Sequence, residues 1–416
     1  MKIRHASHLV AAAALAAAPA MVVTVGGSAD AVTPGVNGNL VYVRDDPGTV
    51  NSEIWVASSN GVPRKGLTSG HLDDAPDWSP DGTKIVFERV DVATGSYGIY
   101  VINADGSGLK RLSHEASRDA TPAWSPDGTR IAFSTSRSGT SQIYVMRADG
   151  THQQNISRSV SSDADPTWSP DGTRIAYDSY RNDNSDIYSM RVDGSHKTRL
   201  TTDPNADYTP SWSPDGKRIA FIRYHAAIGA IYSMRSGGSG ETRLTTDDLA
   251  EEGPRWSPDG LAIVYSVWPT SSEDAMVVET SADGSSTRTV ISSGSAYSPS
   301  WGPRVTMCRG HAATITGTSG SDHLVGTPGP DVIAGLEGDD TISGGGGRDL
   351  ICGGSGADHL SGGTGRDRLY GGPGNDVLRG GRAADYLYGG PGADRLHGGP
   401  GHDHLHGGKG RDRVFQ

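Results

Sequence analysis

The chain has 416 residues, a length that allows two or three domains. Hydrophobic residues make up 34% and there are 59 glycines, an ordinary apolar share for a globular chain. The formal net charge of -11 argues against a nucleic-acid partner.

Residues 1–31 read as a secretory signal peptide. Lys2, Arg4 and His5 form a basic start, residues 9–25 an apolar run, and Ala29-Asp30-Ala31 a small-x-small cleavage site. The run contains Pro19 and is short for a stable span, so an uncleaved anchor is the alternative. No cysteine follows for lipid attachment and no second hydrophobic stretch exists, so the mature chain is expected to lack a membrane span.

Residues 38–303 carry a repeat of about 44 residues marked by Trp-Ser-Pro-Asp-Gly, with its tryptophan at Trp78, Trp124, Trp168, Trp212 and Trp256, and a degenerate copy at Trp301-Gly302-Pro303. A strand-like run follows each marker, as in Lys84-Ile85-Val86-Phe87. A second strand then runs into a turn, as in Ile99-Tyr100-Val101 to Asp105-Gly106. Pro at the second and Gly at the last turn position suit a type I turn. Four short strands per period read as one blade of a β-propeller. Residues 40–43 match the strand after a marker but have no marker before them, whereas residues 298–301 match the marker strand and have nothing after it. The last strand is therefore expected to complete the first blade, giving six blades with no free sheet edge.

Five positions before each marker tryptophan stands an acid: Asp73, Asp119, Asp163, Asp207 and Glu251, with Ala296 in the sixth copy. Six-fold placement would form a collar at the mouth of the central channel, for a cation or a basic partner segment. Turn capping, in which Asp bonds its own backbone, is the alternative. The marker tryptophans and the Tyr of each Ile-Tyr strand are expected in the inter-blade core.

Residues 304–316 read as a linker. Cys308 and Cys352, the only cysteines, permit one disulfide, with two free thiols as the alternative.

From residue 317 an aspartate recurs every ninth residue, from Asp322 and Asp331 to Asp412, and two residues after each stands an aliphatic, as in Leu324, Ile333 and Ile342. Glycines fill most of the rest, as in Gly371-Gly372-Pro373-Gly374-Asn375-Asp376. Nine residues give a turn and a short strand, and two such units close one coil of a parallel β-roll. The aliphatics would form a thin core. The glycine bends would aim carbonyls at a common point, and calcium takes carboxylate and carbonyl oxygens alike. Aspartates eighteen apart fall on one edge, in a row of Asp340, Asp358, Asp376, Asp394 and Asp412 and a row of Asp349, Asp367, Asp385 and Asp403. With strands about 4.8 Å apart, neighbouring carboxylates repel by about 3 kcal/mol at an effective dielectric of about 20. Cations are expected to fill that ladder, held by those nine aspartates and by Gly344, Gly346, Gly353, Gly362, Gly371, Gly389 and Gly398. Thr318 and Thr327 replace glycines in the first two units, so no site is expected there. Leu336 and Ala383 replace glycines further on, so the unit ending in Asp385 is expected to bind more weakly.

With its Trp-Ser-Pro-Asp-Gly marker and Ile-Tyr strand, the repeat over residues 38–303 resembles the TolB-like β-propeller family. The nonapeptide units resemble the RTX, or haemolysin-type, calcium-binding repeats. The resemblance implies an all-β chain: a six-bladed propeller followed by a parallel β-roll that takes up several calcium ions. Two departures stand out. The further N-terminal domain of TolB itself is absent, which weakens a Tol-complex role. The leader, and the lack of a tail after the last repeat, make the C-terminal export route of RTX toxins unexpected.

Nucleophilic catalysis finds no support. Gly353-Gly354-Ser355-Gly356 is followed by Ala357 and so fails as a G-x-S-x-G elbow, and no H-E-x-x-H helix exists. His402, His404 and His406 alternate along one strand and could take a transition metal, but are read as solvated. His71, His114 and His225 do not assemble into a lyase site. The expectation is a secreted or extracellular, non-enzymatic calcium-binding protein, with periplasm or cell surface as alternative locations. Its propeller would present a face to an extracellular or envelope protein or a glycan. The alternatives are a polysaccharide lyase or hydrolase using the propeller channel, and a TolB-like envelope component.

Overall fold

The structure is a computed structural model that describes residues 37–416 except 92–94, 114–117, 226–227, 247–248, 270–273, 293, 304–306, 310 and 318–319. The expected signal peptide and His114 lie outside the described residues. The chain divides into two compact units, up to residue 304 and from residue 305. Among the described residues no helix is long and apolar enough to cross a membrane.

The first unit is built from antiparallel four-stranded blades. One blade runs Ser162–Trp168, Arg174–Arg181, Asn184–Arg191 and Thr198–Arg199, each strand paired with the next. Six such groups follow from the strand pairings, the first two joined by one parallel bridge between Ser52 and Leu72. The strand Ala296–Trp301 pairs with Leu40–Asp45, so the end of the unit completes the blade begun at its start. Each second strand sends one large ring into the core: Tyr42, Phe87, Phe133, Tyr177, Phe221 and Tyr265 are fully buried. The marker turns close as their residues dictate. The Gly82 amide donates to the Ser79 carbonyl at 2.9 Å, and Asp81 accepts from the Ser79 hydroxyl at 2.6 Å and from the Thr83 amide at 3.0 Å.

The five acids expected as a channel collar are buried and engaged by protein donors. Asp73, Asp119, Asp163, Asp207 and Glu251 are all fully buried. They sit on the first strand of each blade and face the paired second strand. Arg89 grips Asp73 through two bonds of 2.6 and 2.8 Å, and Arg223 grips Asp207 at 2.7 and 2.9 Å. Arg137 reaches Asp119 at 3.1 Å, and Arg181 approaches Asp163 at 3.7 Å. Glu251 accepts the Ile231 amide at 3.0 Å and the Thr245 hydroxyl at 2.5 Å. The arginines also lie over the Ile-Tyr tyrosines, Arg181 at 4.3 Å from the Tyr188 ring centre and Arg223 at 4.9 Å from that of Tyr232. These carboxylates thus brace the blades. A buried acid needs a cation or several donors, and the neighbouring strand supplies them.

The second unit stacks two six-stranded parallel sheets, each strand in register with the one eighteen residues on: Ile333 beside Ile351, Ile342 beside Leu360. Between the sheets runs a single apolar column from Ile333 to Leu396, joined at its ends by Ile315, Leu324 and Leu405. The stretch expected as a linker is not featureless. Met307–Cys308 pairs with His311–Ala312, and Ile315–Thr316 pairs with Ile333 and Ala334 as the first strand of one sheet. Ile315 holds the aliphatic position of the repeat without an aspartate two residues before it, which is why the pattern did not announce it.

Candidate metal centre

Every nonapeptide unit places an aspartate just before its short strand. One carboxylate oxygen serves the backbone. Asp358 Oδ1 accepts the Asp340 amide, and Asp367 Oδ1 accepts the Asp349 amide, both at 2.9 Å, and the same bond recurs down both rows. The second oxygen is different. Oδ2 of Asp340, Asp349, Asp358, Asp367, Asp376, Asp385, Asp394 and Asp403 is buried with no protein hydrogen-bond partner. A buried polar atom without a partner is rare because it forfeits its hydration. Eight in equivalent places amount to a built feature.

The space beside each Oδ2 is kept open by glycine. A Cβ on Gly344 would lie 2.4 Å from Asp349 Oδ2 and 2.7 Å from the Gly362 carbonyl oxygen. A Cβ on Gly371 would lie 2.2 Å from Asp376 Oδ2 and 2.6 Å from the Gly389 carbonyl oxygen. Gly353, Gly362 and Gly389 repeat this pairing, and Gly398 faces Asp403 Oδ2 at 2.4 Å. Carboxylate and carbonyl oxygens therefore meet in the cradles of Gly344, Gly353, Gly362, Gly371 and Gly389. That donor set suits a hard cation such as calcium and offers no nitrogen or sulfur for zinc or copper. Among the described residues no three His, Cys, Asp or Glu side chains converge on one point, so backbone carbonyls must complete any coordination shell.

Gly346 differs from the other glycines expected as ligands. An added Cβ there would meet Thr364 Oγ1 at 3.1 Å rather than an aspartate oxygen. Gly335, Gly380 and Gly407 occupy the cradle position beside Asp340, Asp385 and Asp412 and were missed. Their signal was available: each stands five residues before its aspartate. Asp412 itself is only half-buried. In the second unit Thr327 fills the cradle chemically, its amide and hydroxyl donating to Asp331 Oδ2 at 2.7 and 3.0 Å. That carboxylate is satisfied without a cation.

Burial, and then the neighbouring carboxylates, push the ladder's acids up. Asp349 is raised to about 6, by desolvation and by Asp367 and Asp331. Asp376 is raised to about 7, by desolvation and by Asp358 and Asp394. Asp340, Asp358, Asp367, Asp385 and Asp394 shift the same way with burial as the leading cause.

Leu336 and Ala383 hold φ of 91° and 90°, where the equivalent units have glycine at similar angles, as at Gly345 and Gly347. An L side chain in that region costs about 1 kcal/mol or more. Leu336→Gly and Ala383→Gly should each stabilise the roll by about 1 kcal/mol, since neither change removes a core contact. A calcium titration followed by circular dichroism should show the folding midpoint moving to lower calcium. A midpoint that rises would contradict the reading of these bends.

Cys308 and Cys352 are joined by a disulfide, Cα to Cα 5.7 Å, which ties the Met307–Cys308 strand to the strand Leu350–Ser355 of the roll. His402, His404 and His406 are all exposed, and His406 stacks on Tyr388 at 5.0 Å. His71 and His225 are also exposed. At the tryptophan end of the propeller's inner strands lies a cavity of about 220 Å³. Asp77, Arg255, Thr167, Ser211 and Ser300 line it together with marker tryptophans, without a histidine. Asp77 is already engaged, accepting the Trp124 amide at 2.8 Å and the Ser300 hydroxyl at 3.1 Å.

The TolB beta propeller domain family matches residues 32–159 and 118–305, and the RTX calcium-binding nonapeptide repeat matches residues 316–351, 353–387 and 379–414. No curated protein sequence matches this chain. Among solved structures, TolB from Acinetobacter baumannii is 24% identical with a TM-score of 0.56, over 64% of this chain and 67% of that one. A chain of a nidogen/laminin complex is 12% identical with a TM-score of 0.52, over 63% and 97%. Hydrazine synthase from Kuenenia stuttgartiensis is 17% identical with a TM-score of 0.54, over 64% and 46%, so this chain spans under half of it. At these identities the likeness concerns the fold alone. Together with the six closed blades and the stacked nonapeptide coils, the family matches establish that the chain belongs to the TolB β-propeller family and carries RTX calcium-binding repeats.

Proposed function

We propose that this is an exported, non-enzymatic protein whose roll folds on calcium and whose propeller serves as an interaction module for an extracellular or envelope protein or a glycan. The observation that carries the calcium part is the set of eight buried Oδ2 atoms without partners. When bound, calcium supplies the positive charge that these oxygens lack, and Asp340, Asp349, Asp358, Asp367, Asp376, Asp385, Asp394 and Asp403 would hold it together with glycine carbonyls. The physical logic is one of timing. Where calcium is scarce the ladder repels itself and the segment stays open for translocation; where calcium is plentiful, binding free energy becomes folding free energy. Export is supported by the basic and apolar start of the chain and by the dependence of the roll on a cation abundant outside cells. The propeller contributes a ring of blades whose exposed surface would meet the partner.

Isothermal titration of the full chain tests the proposal. Uptake of several calcium ions per chain is expected, with magnesium much weaker because it demands tighter octahedral geometry. Saturation at no ion, or at a single ion, would contradict it.

A further inference from the structure

Outside the aspartate series, residues 317–416 hold eight arginines and one lysine against two acids, Glu337 and Asp339. Part of this excess is ordered on one sheet face. The strands Val377–Arg382, Arg395–His397 and Arg413–Phe415 lie side by side. Leu378 and Leu396 point inward and are buried, whereas Arg379, Arg395, His397, Arg413 and Phe415 are exposed. Register sets Arg395 directly beside Arg413, and Arg379 beside His397 beside Phe415. Like charges opposed on neighbouring strands are destabilising. Among the described residues none of the three arginines has an ion pair to offset this.

We propose that this face binds a carboxylated polysaccharide, and does so only when the ladder beneath it is loaded with calcium. The inference rests on the calcium reading above. Guanidinium groups pair with carboxylates through two parallel bonds, and here two stand one strand spacing apart, about 4.8 Å. A polymer bearing carboxylates on its successive or alternate sugars can meet such a row. His397 and Phe415 stack with ring centres 5.0 Å apart, which gives the apolar face of a sugar ring a surface beside the charges. A denser polyanion such as nucleic acid is disfavoured by the charge of -11 on the chain as a whole.

The calcium gate follows from position. Arg395 and Arg413 each immediately follow a ladder aspartate, Asp394 and Asp412. Without calcium the ladder repels itself, the strands do not stack and the arginines are not brought into one row. With calcium the carboxylate row is neutralised and the face becomes positive.

The test uses the full chain and a fluorescently labelled hyaluronan decasaccharide, with anisotropy read in millimolar calcium and in chelator and calcium uptake measured on the same samples. Binding in calcium and loss in chelator are expected. The Arg395→Gln, Arg413→Gln double variant should bind roughly tenfold more weakly or worse, the loss of charged hydrogen bonds, while taking up calcium normally. Normal calcium uptake with no decasaccharide binding, or with a double variant that binds as well as the parent, overturns this proposal and leaves the calcium reading intact. A preference for a single-stranded oligonucleotide or an anionic vesicle overturns the polysaccharide assignment. Absence of calcium uptake overturns the calcium reading and this inference with it.

Discussion

Chelating calcium at neutral pH will abolish the ordered strands of the roll while leaving the propeller's tryptophan emission unchanged. The two signals separate cleanly because all eight tryptophans, from Trp55 to Trp301, belong to the propeller. The loss should be large. Each adjacent pair of ionised aspartates opposes stacking by about 3 kcal/mol at about 5 Å and an effective dielectric of about 20. The apolar column offers only one aliphatic per strand in return. Acid should substitute in part for calcium, and the sign follows from the shifts. Asp349 and Asp376 are raised in the folded roll to about 6 and about 7, above the ordinary 3.8. The folded apo roll therefore binds more protons than the unfolded chain between those values. Its stability is fully present below about pH 4 and is lost as pH rises through about 6 to 7. Far-ultraviolet circular dichroism in chelator should show strand signal at pH 4.5 that disappears by pH 7.5 and returns on adding calcium. A roll that keeps its strands in chelator at pH 7.5 would remove the basis of the proposed function.

The features legible from sequence were those that repeat along the chain. The nine-residue aspartate register fixes which strands stack, because the aliphatic two positions on must enter the same core. The unmatched ends of the Trp-Ser-Pro-Asp-Gly series fix how the propeller closes, because each end lacks a strand the other has. Pairing across a hairpin was not legible. Asp73 lies directly opposite Arg89, and Asp207 opposite Arg223, but Asp163 lies opposite Ser179, with Arg181 two residues further on. The arginine is thus 16 residues away in two blades and 18 in two others, which blurs a search by fixed spacing. Read across the strands, four of the acids pair with an arginine of their own blade, whereas Glu251 takes its donors from the blade before it. The cradle glycines show the same limit. The position beside Oδ2 is defined by its distance of five residues from the aspartate, which adds Gly335, Gly380 and Gly407 to the glycines expected from the Gly-rich pattern.

The acid–arginine braces make the second large prediction. Asp73→Ala leaves Arg89 buried without its carboxylate, and breaking such a pair from one side costs about 3–5 kcal/mol. That is a large fraction of the stability of an ordinary domain. The midpoint of urea unfolding, read by tryptophan emission, should fall accordingly, with calcium uptake by the roll unchanged. Replacing both partners, Asp73→Leu with Arg89→Met, should recover most of the loss, because two apolar side chains of similar volume need no hydrogen bonds. The recovery is what separates a brace from a binding collar. A collar would lose its cation or partner in the double variant as completely as in the single one, with little change in the unfolding midpoint of either. A single variant as stable as the parent would show that Arg89 finds other partners, and that the pair does not hold the second blade together.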